Sequence, residues 1–261
     1  MATAVATGRT WVIAARRHSV ILTVIGGAWL VAIWAEMSGV ALRVHHHSLA
    51  EGGLPLWAAA LLLLVAWQVM TAAMMLPSSL PMVKLYTAAT ERKPQRALSL
   101  TLFFGSYFGV WSGFALFAFL GDVQLHRLVD SWPWLFAHEN VIPAATFALA
   151  AVYQFTPLKN ACLRACRHPG AYLYRYYRSG AMGGLRLGLG HAMFCLGCCW
   201  ALMMVMFAAG VAHLYWMAVL GLIMVIEKTF PSGDRLVYPV GAAFAVLALT
   251  ALLAPAAIPA L

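Results

Sequence analysis

The chain has 261 residues, 63% of them hydrophobic and only 10% charged, with a formal net charge of +9. Soluble domains carry about 25% charged residues, so this composition excludes an ordinary water-exposed globule and points to lipid. In lipid a spanning backbone must satisfy its own hydrogen bonds, which leaves helices or a closed barrel, and the sequence has no short alternating segments of the barrel kind.

Seven segments approach the roughly 20 apolar residues that a spanning helix needs. They run near Val20–Ala35, Leu54–Leu76, Ala97–Leu120, Val141–Leu158, Leu187–Gly210, His213–Ile226 and Val237–Ile258. The expected fold is an all-α polytopic bundle, one integral membrane domain over residues 1–261. The first segment follows Arg16-Arg17-His18, the flank of a signal peptide, but its apolar run is long and no small-x-small cleavage site precedes Glu36. It reads as a retained anchor. His45-His46-His47 follows it and could gather divalent metals, although a solvated loop is the favoured reading.

The second segment carries Met70, Met74 and Met75 just before Pro77. Met70 and Met74 share a helix face, and Pro77 is placed to kink the helix and free a carbonyl. In the third segment Gly105, Gly109 and Gly113 recur every fourth residue, a spacing that lets helices approach closely in lipid; Gly184 and Gly188 repeat it before the fifth. Cys162 and Cys166 stand at the end of the fourth segment. They face the same way if the helix continues through them, either as idle thiols or as a metal-capturing or redox pair.

The fifth segment is the richest in donors. His191, Cys195, Cys199 and Met203 lie four apart and form a ridge, with Cys198 on the adjoining row. Imidazole, thiolate and thioether together suit soft metals, Cu(I) above all, and Cys₃His ligation would also suit zinc. The competing reading is that cysteine and methionine serve as pliable packing. Lys84 and Arg186 serve as edge markers, and Met75 and Cys195 each lie nine residues inward of one of them, about 14 Å at 1.5 Å per residue. Antiparallel helices would then bring both donor sets to one depth. Glu227-Lys228 closes the sixth segment; an ion pair with Lys228, Lys84 or Lys159 is the favoured role for Glu227, and the exit of a passing cation is the alternative. The Ala-rich stretch Gly241–Ala260 at the end carries no ionisable side chain and reads as a packing or oligomer-contact helix.

Of the 17 Lys and Arg, all but Arg43 and Arg127 fall on one set of joints. The positive-inside rule makes that face cytoplasmic, with the N-terminus in and the C-terminus out. The same face would attract anionic lipid headgroups. No nucleic-acid-binding motif accompanies the basic residues, so no nucleic-acid partner is expected.

The stretches Ala73-Met-Met-Leu-Pro77-Ser-Ser-Leu-Pro81-Met, Tyr153-Gln-Phe-Thr-Pro-Leu-Lys159-Asn-Ala-Cys162-Leu-Arg-Ala-Cys166-Arg167-His-Pro169, Gly197-Cys-Cys-Trp-Ala-Leu-Met203 and Glu227-Lys228 resemble a bacterial family, domain of unknown function 2182, grouped as predicted metal-binding integral membrane proteins. The resemblance runs from the second segment to the sixth. It implies metal handling in a bacterial inner membrane and names no reaction. The reading favoured by residues and resemblance together is a Cu(I)-handling membrane protein that binds, delivers or translocates the ion, serving a copper enzyme or another membrane or periplasmic partner, or forming a homo-oligomer. Metal ligands are expected among Cys195, Cys198, Cys199, His191, Met203, Met70, Met74, Met75, Cys162, Cys166 and Glu227. The alternatives are a membrane thiol–disulfide oxidoreductase and a structural subunit of a larger complex, and catalysis is the less favoured of the readings.

Overall fold

The structure, a computed structural model, describes the backbone of residues 2–43, 49, 53–209 and 213–254, with side chains from residue 19 onward except 43 and 209. The histidines 45–47 lie outside the described residues. Among those described there are α-helices and one 3-10 turn and no strand: α1 (Ala2–Met37), α2 (Val40–Arg43), α3 (Leu56–Ala89), α4 (Arg96–Ser131), α5 (Pro133–Ala137), α6 (Val141–Gln154), α7 (Pro157–Arg167), α8 (Pro169–Tyr176), α9 (Ala181–Ala209), α10 (Leu214–Thr229), the turn Gly233–Leu236 and α11 (Val237–Leu253).

The all-α expectation holds, and the count of seven spans is revised. Among the described residues five helices are long and apolar enough to cross a membrane, Ser19–Met37, Leu56–Ala89, Arg96–Ser131, Ala181–Ala208 and Gly233–Leu253, or six if the bent pair Val141–Gln154 and Pro157–Arg167 counts as one. The remaining segment, α10, has 16 residues, about 24 Å at 1.5 Å per residue against a hydrocarbon thickness of about 30 Å.

The fourth segment ends earlier than its apolar run suggests because of Thr156-Pro157. A residue before proline is pushed out of helical geometry, and Thr156 is extended at φ −74°, ψ 145°. It then caps α7, its hydroxyl accepting from the Lys159 N–H at 3.2 Å, with Pro157 at the first helical position where no N–H is needed. The chain bends by 65° there. As a result Cys162 and Cys166 leave the line of α6 and ride on α7, which packs against α9. The stretch from Cys162 towards Arg186 is largely helix folded onto the bundle, with Cys162 and Tyr172 buried.

α9 is the central helix, touching α4, α6, α7 and α10. Its closest neighbour is α4, because Gly184 and Gly188 have no side chains: a Cβ on Gly184 would strike the Ser99 carbonyl, and one on Gly188 the Phe103 carbonyl and the Ser106 hydroxyl. The other small-residue stripe behaves differently from expectation. Gly105, Gly109 and Gly113 are exposed on the outside of α4 and a Cβ at any of them would meet nothing within 4 Å. They do not mediate packing within this chain. The register that puts Tyr107 and Trp111 inward turns those glycines outward.

α3 carries both Pro77 and Pro81 within one helix. Pro77 cannot donate to the Ala73 carbonyl four residues earlier, and Trp29 Nε1 on α1 donates to that carbonyl instead at 3.1 Å. The freed group thus fixes α1 to α3. α11 packs on α6, with Phe155 seated where Gly241 lacks a side chain. The outer faces are apolar, with Phe117 76%, Val152 67%, Val65 66% and Val246 61% exposed.

Candidate metal centre

Residues four apart on α9 present Cys195 and Cys199 inward, and both are buried within the protein together with Cys198 and Met203. Neighbouring helices shield them. Met75 of α3 reaches this row, its Sδ lying 3.8 Å from Cys199 Sγ. α7 contributes from below: Cys166 Sγ lies 3.9 Å from Cys198 Sγ. Cys162 sits over Gly197, where a Cβ would lie 2.5 Å from its sulfur. Glycine at 197 therefore permits the α7–α9 approach, and Tyr153 OH donates to the Gly197 carbonyl. All five cysteines are free and meet at one junction of α3, α7 and α9.

The centre also contains a group that sequence reasoning did not assign to it. Glu227 and Lys228 are adjacent on α10, so their side chains point about 100° apart. Glu227 turns to α7, where Lys159 Nζ pairs with Oε2 at 2.8 Å with both side chains 1% exposed, and Gln154 Nε2 donates to Oε1 at 3.4 Å. Arg167 Nη2 donates to the Pro231 carbonyl at 2.6 Å and pairs with Asp234 at 3.4 Å, tying the far end of α7 to the same region. Lys228 turns the other way, into the thiols. Its Nζ donates to Ser78 Oγ at 3.1 Å and lies 3.2 Å from Cys195 Sγ and 3.8 Å from Cys199 Sγ.

An isolated buried ammonium is costly unless a counter-charge accompanies it. Among the described residues no carboxylate stands within ion-pair distance of Lys228, and the adjacent thiols are the groups able to supply that charge. A polar chain continues on the far side of Cys195: Tyr107 OH is 3.2 Å from its sulfur and Ser79 Oγ is 3.1 Å from Tyr107 OH. Ser78, Ser79, Tyr107, Lys159 and Lys228 were missed as site residues. A Glu-Lys pair inside an apolar helix was the available signal for Lys228, because two neighbouring charges must find partners on two different faces.

The other expected donors are spread around this junction. His191 is 6% exposed, stacked on Phe103 and Tyr107 with ring centroids 6.1 and 5.6 Å away, and its Nε2 has no hydrogen-bond partner. Met74 faces α10, where a Cβ added at Gly221 would lie 3.6 Å from its side chain, so of the methionine pair Met75 is the one at the thiols. Met70 and Met203 are buried in the surrounding apolar core. Among the described residues no three His, Cys, Asp or Glu side chains converge at ligand spacing; the sulfurs come in pairs. Two sulfurs each about 2.3 Å from a shared ion at a trigonal angle would be about 4 Å apart, the separation seen in both Cys166–Cys198 and Cys199–Met75.

The class defined by these features is an apolar all-helical protein with its five cysteines gathered at one buried junction. The family model for PpoB2, described as a copper chaperone, matches residues 64–251, and the chain belongs to that family. The matched stretch includes α4 to α10 and every cysteine. The likeness to domain of unknown function 2182 remains a resemblance beside it. Comparison with curated proteins and with solved structures gives no match.

Proposed function

We propose that the protein is an integral membrane chaperone that holds Cu(I) as cargo and hands it to a copper-requiring partner. The observation that carries this reading is the meeting of Cys199 with Met75 and of Cys198 with Cys166 across three helices, beside Cys195. Thiolate and thioether donors favour Cu(I) over hard cations, and the adjoining carboxylate, Glu227, is engaged with Lys159. Cys195, Cys198, Cys199 and Met75 form the holding set. Cys162 and Cys166 on α7 are the transfer thiols, because α7 is the element at the edge of the cluster. His191, Met70, Met74 and Met203 are the outer donors around that set, and zinc is the competitor such a site must reject.

The apolar exterior and the long helices support placement in a bacterial inner membrane as a single domain, with the basic joints towards the cytoplasm and lipid as the surrounding partner. Buried ionisable groups inside such helices are functional candidates. The test is metal per protein after Cu(I) loading under reducing conditions. The wild type should retain copper through desalting, and a Cys195→Ser/Cys198→Ser/Cys199→Ser variant that keeps its helical signal should retain little. Equal retention by both would remove these cysteines from the site.

A second reading has one specific observation behind it: Cys166 and Cys198 are free thiols 3.9 Å apart on different helices. Joining them would release two electrons and two protons to an acceptor such as a membrane quinone. Recovery of a Cys166–Cys198 linked peptide from protein taken from cells, with no copper retained, would favour this oxidoreductase over the chaperone.

A further inference from the structure

We infer that Lys228 sets the charge selectivity of the thiol cluster, making it a site for a monovalent soft cation and disfavouring divalent ones. The inference rests on the Cu(I) reading above and adds a determinant that sulfur chemistry alone does not supply. Soft donors by themselves do not discriminate sharply between Cu(I) and Zn(II), since cysteine thiolates bind both. Charge does, provided that a fixed charge lies close to the ion in a poorly solvated place.

The geometry meets that condition. Lys228 is 5% exposed, Cys195 and Met75 less than 1%, and Cys199 1%. Its Nζ is 3.2 Å from Cys195 Sγ and 3.8 Å from Cys199 Sγ, so an ion bound to those sulfurs with bonds of about 2.3 Å would lie within about 5 Å of the ammonium. The side chain is not free to swing away without loss, because Ser78 Oγ accepts from it at 3.1 Å and is itself bound to the Met75 carbonyl at 2.9 Å. Serine and methionine thus come from one turn of α3, the same turn that supplies the thioether. The lysine that repels and the methionine that binds are positioned by one piece of backbone.

The charge count follows. Of the holding set, Cys195 and Cys199 lie beside the ammonium and bind as thiolates, while Cys198 stays a neutral thiol donating to the Cys195 carbonyl at 3.1 Å; two thiolates, the ammonium and a monovalent ion then sum to zero, whereas a divalent ion leaves a net buried positive charge. Glu227 does not relieve it, since its carboxylate is held by Lys159 at 2.8 Å. Each additional unit charge on the ion is repelled by the ammonium at about 5 Å, which at an effective dielectric near 20 corresponds to a selectivity on the order of 100-fold.

The experiment compares wild type, Lys228→Leu, Lys228→Gln and Lys228→Arg, each purified in detergent under reducing conditions. Ag(I), a redox-inert monovalent probe, and Zn(II) are competed for the site, and bound metal is read by elemental analysis. The wild type and Lys228→Arg should favour Ag(I) by the same ratio. Lys228→Leu, which brings no metal donor of its own, should lower that ratio on the order of 100-fold by gaining Zn(II), not by losing Ag(I). Lys228→Gln, which keeps a donor for Ser78, should behave as Lys228→Leu does, and it decides the matter if the leucine variant fails to assemble. An unchanged Ag(I) to Zn(II) ratio in the neutral variants overturns the role of Lys228 while leaving the Cu(I) site standing. Absence of Ag(I) and Cu(I) from the wild type removes the chaperone reading itself, a different result.

Discussion

The buried pair Lys159–Glu227 is the element whose removal should be felt most, and the expected effect can be worked from its geometry. At 2.8 Å the attraction is about 6 kcal/mol at an effective dielectric near 20, and stripping water from both ions offsets most of it. The intact pair therefore adds little net stability. Deleting one partner is another matter: Glu227→Gln strands an ammonium that is 1% exposed, and such half-pairs cost about 3 to 5 kcal/mol. For a chain of this size each kcal/mol moves the melting midpoint by about 2 to 4 °C, so Glu227→Gln should melt at least about 6 °C below wild type. The double variant Lys159→Met/Glu227→Leu, which removes both charges and keeps the volume, should recover most of that loss. The assay is the amount of monodisperse protein left after a temperature series in detergent. A Glu227→Gln protein that melts with the wild type, or a double variant weaker than either single change, would refute the reasoning. Because the pair holds α7 against α10, the single variant should also react faster with thiol reagents at Cys166.

Gly188→Leu should abolish assembled protein because its Cβ meets the α4 backbone and overpacking commonly costs about 1 to 3 kcal/mol or more; Gly109→Leu, facing open space, should leave the amount unchanged in an expression blot. Gly197→Ala should separate α7 from α9, since its Cβ would lie 2.5 Å from Cys162 Sγ, and alkylation of Cys162 in detergent should rise several-fold. Met75→Leu keeps its volume and should cost less than about 1.5 kcal/mol in stability, yet weaken Cu(I) retention against a chelator about tenfold, the scale of one lost interaction. For orientation, Tyr174 is 92% exposed on α8, so Tyr174→Cys should react with an impermeant thiol reagent only after cells are opened; labelling of intact cells would reverse the proposed topology.

Much of this architecture was legible in the sequence because lipid-scale helices announce themselves by length and apolarity. The Cys195/Cys199 ridge followed from spacing alone, and the equal inward offsets of Met75 and Cys195 anticipated that α3 and α9 would bring thioether and thiol together. The 65° break between α6 and α7 was harder to see. The stretch Val141–Leu158 is apolar enough to read as one span, and Thr156-Pro157 marks the turn that carries Cys162 and Cys166 back to Cys198. The glycine stripes illustrate a different gap. Gly105, Gly109 and Gly113 have the same spacing as Gly184 and Gly188, but spacing does not say which way a stripe faces; Tyr107 and Trp111, with more apolar area to bury, took the inner side of α4. Lys228 was harder to place for a related reason. The Glu227-Lys228 pair signals two buried charges with partners on different faces, and nothing in the local pattern tells which of the two turns to the thiols.

The central claim is that copper is held by sulfur at the α3, α7 and α9 junction, and the X-ray absorption spectrum of the Cu(I)-loaded wild-type protein tests it most directly. The account predicts a copper edge of the monovalent ion with a first shell of sulfur scatterers, lost in the Cys195→Ser/Cys198→Ser/Cys199→Ser variant. A first shell dominated by nitrogen or oxygen, or a spectrum unchanged by those three substitutions, would contradict it.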